Sequence, residues 1–80
     1  MKEIIAELDK ILPVVERVHA ENHPELHRVA ALYTALKEQA SPELIAELKG
    51  VTSDFTAPED ACPTYQKAYA DLAVLFGELA

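Results

Sequence analysis

Cysteine, glycine and tryptophan are scarce or missing in this chain of 80 residues, which has one cysteine, two glycines and no tryptophan. The single cysteine, Cys62, cannot form a disulfide within the chain, which is typical of proteins from reducing compartments. So little glycine argues against a flexible linker and against a phosphate-binding loop. Because half of the residues are apolar, we expect a folded helical protein. A small domain that manages without disulfides is typical of a reducing compartment, so we expect it in the cytoplasm.

Basic residues are also in the minority, with seven against fourteen acidic ones and a formal net charge of -7. The electric field of such a chain repels phosphate backbones and anionic lipid surfaces. No apolar run approaches the roughly 20 residues of a membrane-spanning helix, and the first residues lack the pattern of a secretion signal. We therefore expect neither nucleic acid nor a membrane as a partner.

The length predicts a single domain over residues 1–80, because a second core would have too little apolar surface to bury. Apolar residues at steps of three and four predict a first helix over residues 2–20. Pro13 lies inside this pattern and should bend the helix without ending it. A second helix is predicted from Pro24 to about residue 39, with His23 as its cap, and the short link predicts an antiparallel hairpin.

A third, short helix is predicted over residues 42–49. Its start signal is Ser41 followed by a proline, and its stop signal is Lys49 followed by Gly50. The next stretch, residues 51–59, is rich in polar residues and proline, so we expect a loop pinned to the core by Phe55.

The last helix is predicted over residues 60–79, with Asp60 as its N-cap and Pro63 tolerated in its first turn. Each helix has one apolar stripe that it cannot bury alone. The sequence therefore predicts an all-α fold, a small antiparallel helical bundle of three long helices plus one short helix.

The apolar stripe of the first helix is wider than packing against one neighbouring helix requires. It contains the adjacent pair Ile4 and Ile5 and, two turns later, the adjacent pair Ile11 and Leu12. A domain of this size has modest stability, because its small core barely offsets the ordering entropy. A homodimer through this stripe is one hypothesis for the partner, and a different protein is the other.

Three histidines, His19, His23 and His27, follow one another at steps of four residues. On an unbroken helix this spacing would align three imidazoles as metal ligands, but Pro24 interrupts the helix. The trio could still converge on one iron or zinc ion with Glu16, Glu21 or Glu25 as a further ligand. The alternative interpretation needs no cofactor: His19 complements the negative end of its helix, His23 caps the next helix and His27 is solvated.

No arrangement typical of a catalytic site is visible, so we expect a protein that is not an enzyme. The carboxylates are predicted to lie on exposed faces, where they cannot form a buried acid-base pair; they include Glu3, Glu7, Glu43, Glu47, Glu59, Asp60, Asp71 and Glu78. The thiol of Cys62 lies near a helix N-terminus, which favours thiolate, but its acidic neighbours oppose that. We expect a packed or capping cysteine.

Two stretches resemble a known family. They are residues 16–26, Glu-Arg-Val-His-Ala-Glu-Asn-His-Pro-Glu-Leu, and residues 52–62, Thr-Ser-Asp-Phe-Thr-Ala-Pro-Glu-Asp-Ala-Cys, followed by Thr64 and Tyr65. Both are similar to segments of the Repair of Iron Centers family, di-iron proteins that repair iron-sulfur clusters and have a hemerythrin-like domain. There the first stretch joins helices one and two, and the second leads into helix four. The resemblance implies a hemerythrin-like-derived bundle for this chain.

The iron ligands that the resemblance implies have no counterparts in residues 1–80. The ligand block after the family's second helix would fall where this chain has residues 39–42, Gln-Ala-Ser-Pro, and the final His and Glu would fall beyond Ala80. A di-iron site needs several carboxylates and imidazoles. We therefore expect a shortened, non-enzymatic relative, a partner or regulator in iron or nitrosative-stress handling. Two alternatives stay open: a mononuclear metal-binding protein, and a helical interaction module unrelated to iron.

Overall fold

The computed structural model describes residues 2–77 and contains four helices, α1 (Lys2–His19), α2 (Glu25–Glu38), α3 (Pro42–Val51) and α4 (Pro63–Phe76). The part described has no strand, so the all-α fold class is confirmed. Helix α1 packs against both α4 and α2, and α2 packs against α3. No helix within residues 2–77 is long and apolar enough to cross a membrane.

One hydrophobic core joins the four helices, and its members are largely the residues of the apolar stripes in the sequence. Because each stripe is buried by its neighbours, no helix needs to be stable alone. The buried apolar residues are Leu8, Leu12, Val15, Leu26, Val29, Leu32, Tyr33, Leu36, Ile45, Leu48, Ala61, Tyr65, Ala68, Tyr69 and Leu72.

Helix α1 continues through Pro13 as one helix, as predicted. The stripe expected to form a dimer interface packs largely against the chain's own core, since Leu12 is buried and Ile4 and Ile11 contact that core. The large apolar side chains that α1 exposes are instead Val14, at 40%, and Val18, at 60%.

Helix α2 begins at Glu25, directly after Pro24, and no side chain caps it. The prediction that His23 is its cap is wrong. The backbone carbonyl of His23 accepts a hydrogen bond from the amide of Leu26 at 3.0 Å, but its imidazole is bound elsewhere. The turn before α2 is closed by the amide of His23, which donates to the carbonyl of His19 at 2.8 Å.

Helix α3 starts as predicted, because the hydroxyl of Ser41 accepts a hydrogen bond from the amide of Leu44 at 3.2 Å. The predicted stop at Gly50 is wrong, and α3 runs through it to Val51. The reversal comes later, where Ser53, Asp54 and Phe55 have positive φ angles of 53°, 60° and 60°.

The turn after α3 is held by Thr52 and Phe55. The Thr52 hydroxyl donates to the carbonyl of Leu48 at 2.8 Å and accepts from the amide of Phe55 at 3.0 Å. The ring of Phe55 packs against the core, so the predicted anchoring of this loop is confirmed.

Helix α4 begins at Pro63 rather than at residue 60, and its N-cap is Cys62 rather than Asp60. The Cys62 Sγ accepts a hydrogen bond from the amide of Tyr65 at 3.5 Å, which confirms the expected capping cysteine. The helix ends at Phe76; the predicted end at Leu79, and Glu78 with it, lie outside the described residues.

Candidate functional site

The turn between α1 and α2 meets the start of α4. We call residues 19–27 the histidine turn and residues 60–65 the α4 N-terminal segment. His19 Nε2 lies 3.3 Å from Cys62 Sγ, and His23 Nε2 lies 2.9 Å and 3.0 Å from the two carboxylate oxygens of Asp60. These contacts join residues 16–26 to residues 52–62.

Tyr65, at the end of the α4 N-terminal segment, is fully buried and its ring contacts both His19 and His23. Its ring centroid is 5.0 Å from that of His19, 5.7 Å from that of His23 and 5.2 Å from that of Tyr69. Tilted and edge-on contacts at these distances are favourable for aromatic rings. The hydroxyl of Tyr65 is buried and has no hydrogen-bond partner, which is uncommon for a buried phenol.

The imidazole of His23 is held by two carboxylates, since its Nδ1 also lies 3.3 Å from Glu25 Oε2. The hydrogen bond to Asp60, with a smaller contribution from Glu25, raises the pKa of His23 above its ordinary value of 6.5. The same hydrogen bond lowers the pKa of Asp60. Each group thus favours the charged form of the other.

His27 is separate from the other two histidines. Its side chain is 67% exposed, and its Nδ1 lies 2.8 Å from Glu16 Oε2. The structure therefore gathers His19 and His23 around Tyr65 and leaves His27 at the surface, paired with a carboxylate of α1.

The candidate metal ligands His19, His23, His27 and Glu25 are distributed over these separate contacts. Within residues 2–77, no three His, Cys, Asp or Glu side chains are placed to hold one ion. Metal binding by the histidine turn stays a prediction that requires measurement.

The pairing of His19 with Cys62 could not be found from local pattern, because 43 residues separate them and the segment around Cys62 contains no histidine. The sulfur of Cys62 therefore has two contacts: it accepts the amide hydrogen bond of Tyr65, and it lies beside the imidazole of His19.

One carboxylate differs from its predicted exposure. Asp71 was expected on a solvated face but is only 4% exposed. Its Oδ1 accepts a hydrogen bond from Lys67 Nζ one helical turn earlier, and its Oδ2 has no partner. Sequence analysis did not predict this burial, because Asp71 lies beside the apolar stripe of α4. The spacing of four residues between Lys67 and Asp71 is also typical of ion pairs on exposed helix faces.

Other ionic contacts join the helices in pairs. Arg28 of α2 forms two hydrogen bonds to the carboxylate of Glu47 in α3. Asp9 of α1 accepts hydrogen bonds from Lys37 at 2.7 Å and from the hydroxyl of Tyr33 at 2.9 Å. These contacts lie away from the histidine turn, and their chemistry is that of helix packing.

Family models, curated proteins and solved structures were all compared with the chain. It matches none of them. The resemblance to iron-sulfur repair proteins therefore depends on the residues of the two stretches alone, and what it implies about function is a proposal.

Proposed function

We propose that the chain is a small non-enzymatic relative of the iron-sulfur cluster repair proteins. In this proposal it acts in the cytoplasm by binding a protein partner, and it takes part in the handling of iron or of nitrosative stress. In this proposal the bundle is antiparallel and has three long helices and one short helix.

The observation that supports the proposal is the contact between the two resembling stretches. Residues 16–26 and 52–65 lie far apart in the chain, yet His19 contacts Cys62 and His23 contacts Asp60. Residues that match one family in two places and also meet in space are better explained by a shared scaffold than by two unrelated coincidences. Because function depends on sites rather than folds, a scaffold without the family's iron ligands favours binding over catalysis.

The test is co-expression of the untagged chain with a tagged, full-length iron-sulfur cluster repair protein encoded in the same genome. We expect the two to co-purify. The variant Glu21→Arg, which reverses an exposed charge on the histidine turn, should weaken the complex. Its matched control is Glu43→Arg, at an exposed position on α3.

Failure to co-purify at several protein ratios would argue against this partner. Equal weakening by Glu21→Arg and Glu43→Arg would also count against a role for the histidine turn, since it would show only a general effect of net charge.

A homodimer is the second candidate, and the exposure of Val14 and Val18 on α1 favours it. These residues are four apart, so they lie on the same side of the helix. Light scattering over a hundredfold range of concentration is the test, with Val18→Lys as the disrupting variant. A monomer mass at every concentration would exclude the homodimer.

A further inference from the structure

Residues 53–59, which we call the strap, connect the end of α3 to the segment that leads into α4. The strap begins in an unusual backbone conformation, since Ser53, Asp54 and Phe55 have positive φ angles of 53°, 60° and 60°. A positive φ is uncommon for residues other than glycine and is an outlier for a bulky residue such as phenylalanine. Left-handed residues usually occur singly, and each costs free energy because its Cβ crowds the following carbonyl oxygen. Three in succession therefore strain the turn.

Two contacts hold this strained turn closed. The hydroxyl of Thr52, directly after α3, is buried; it donates to the carbonyl of Leu48 at 2.8 Å and accepts from the amide of Phe55 at 3.0 Å. The ring of Phe55 packs against the core and reaches the end of α4, where its Cε2 would lie 3.9 Å from a Cβ added at Gly77. Strained backbone persists only where surrounding contacts hold it, so we call Phe55 the latch of the strap.

The rest of the strap has few attachments to the bundle. Within residues 2–77, the strap forms no hydrogen bond or ion pair with α1, α2 or α4. Ala57 also packs against the core. The exposed residues of the strap are Ser53, Asp54, Thr56 and Glu59. Few buried apolar contacts and no hydrogen bonds to neighbouring helices are typical of a segment that opens locally.

Most of the strap lines a cleft together with Glu25 of α2 and Tyr69 of α4, so it forms one wall of that cleft. Tyr69 is 3% exposed. Its ring makes an edge-on contact with Tyr65 at 5.2 Å, and Tyr65 in turn contacts the histidine turn. Opening of the strap removes this wall and increases the exposure of Tyr69.

We propose that the strap opens as a unit while the four helices stay folded, and that its opening uncovers Tyr69. Opening relieves three left-handed residues and costs mainly the packing of one phenylalanine ring. The open and closed states therefore lie closer in free energy than the folded and unfolded chains. The inference does not depend on the proposed protein partner, so failure of one leaves the other standing.

The first experiment is amide hydrogen exchange of the full chain, followed by NMR at urea concentrations well below the unfolding midpoint. The amides of Phe55 and Thr56 report on the strap, because each donates a hydrogen bond to Thr52. We expect them to exchange faster than the core amides of Leu32 and Leu72, at a rate that changes little with urea. Exchange of all four amides at one rate, with one dependence on urea, would overturn the proposal, because the strap would then open only when the chain unfolds.

Glycine substitutions test the strain. Ser53→Gly should slow exchange at Phe55 and Thr56 roughly threefold, because removing the cost of a left-handed Cβ outweighs the entropy that glycine loses. Ser53→Ala keeps the Cβ and is the matched control, so it should not slow exchange. Thr56→Gly, at an exposed position without a positive φ, should instead speed exchange at Phe55 about twofold to fivefold. Faster exchange in both glycine variants would overturn the strained turn.

Phe55→Ala tests the latch and the uncovering of Tyr69. We expect the helical circular dichroism to remain and the protection of the Thr56 amide to fall at least about tenfold, because the ring no longer packs against the core. The neutral nitroxide TEMPOL should broaden the ring signals of Tyr69 more than in the parent chain. Those of Tyr33, whose hydroxyl is bound to Asp9 of α1, are the control and should not change.

Two results with Phe55→Ala would contradict the proposal. Loss of the helical signal would show that the helices need the closed strap, so that local opening does not occur. Equal broadening of the Tyr69 ring in the variant and the parent chain would show that the strap does not cover Tyr69.

Discussion

His23 Nε2 lies 2.9 Å from Asp60 Oδ1, although 37 residues separate the two in the chain. His23 belongs to the turn that follows α1, and Asp60 precedes the cysteine that caps α4. Because the rings of His19 and His23 both contact Tyr65, this hydrogen bond closes a cluster that ties the beginning of α2 to the beginning of α4. The cluster should respond to any change in the charge of either partner.

The stability of the chain should fall as the pH rises above neutrality. The pKa of His23 is raised in the folded state by its hydrogen bond to Asp60. Its stabilising contribution is therefore complete below the unfolded value of 6.5 and is lost as the pH rises through the higher folded value. The pKa of Asp60 is lowered, so its contribution is present above 3.8 and lost as the pH falls through the lower folded value. Urea midpoints measured from pH 3 to pH 9 should be highest between pH 3.8 and pH 6.5.

Two variants identify the group responsible. His23→Gln should flatten the fall in the urea midpoint above pH 6.5, because it removes the titrating imidazole. His27→Gln should leave the fall in place, since His27 is mostly exposed and lies outside the cluster. An unchanged fall in His23→Gln would show that another group causes it.

Gly50→Ala should stabilise the chain. Gly50 lies within α3, its φ is not positive, and a Cβ built there meets no atom within 4 Å. Alanine in a helix interior is favoured over glycine by about 0.5–1 kcal/mol. The free energy of unfolding from urea titration is the measurement. Ala46→Gly, at an exposed position of the same helix, is the reverse control and should destabilise by a similar amount. A loss of stability in Gly50→Ala would show that the helix ends earlier.

The error at Gly50 shows what local pattern can and cannot predict. The apolar stripes predicted the helices and most of the core, because burial of one face is a property of spacing alone. The ends of the helices are not set by spacing alone, since a glycine after a lysine ends a helix only when the chain turns there. Here three consecutive residues after Thr52 adopt left-handed backbone conformations and make the turn instead. None of them is a glycine, so the sequence contains no signal for a turn at that position.

The candidate site was predictable only in part. The spacing of the histidines predicts the histidine turn, and the sequence predicts a packed or capping Cys62, but it assigns the N-cap of α4 to Asp60 instead of Cys62. The contacts of His19 with Cys62 and of His23 with Asp60 depend on how α1 and α4 pack, which no local signal encodes. The burial of Asp71 was missed for the same reason.

Lys67→Met should destabilise the chain through Asp71. The variant leaves a buried carboxylate without its single hydrogen-bond donor, and such a loss is expected to lower the free energy of unfolding by about 1–3 kcal/mol. The double variant Lys67→Met with Asp71→Leu should recover most of the loss, because it removes the unpaired charge as well.

The matched control is Lys49→Met. Its partner Asp54 is 75% exposed and 3.9 Å away, so the change should stay within about 0.5 kcal/mol. If Lys67→Met were as mild as Lys49→Met, water would have to reach the carboxylate of Asp71.

The protein purified without a tag should contain iron or zinc at well below one equivalent. The reason is geometric: His19 is beside a thiol, His23 is held by Asp60 and Glu25, and His27 is paired with Glu16, so three ligands do not converge. Elemental analysis together with the absorbance spectrum is the measurement, and His27→Ala should change neither. Near-stoichiometric metal that is lost in His23→Ala would contradict this prediction and establish the mononuclear metal site at the histidine turn. Metal lost equally in His23→Ala and His27→Ala would show that both imidazoles bind the same ion, which requires the turn to rearrange, since His27 now points its Nδ1 at a carboxylate of α1.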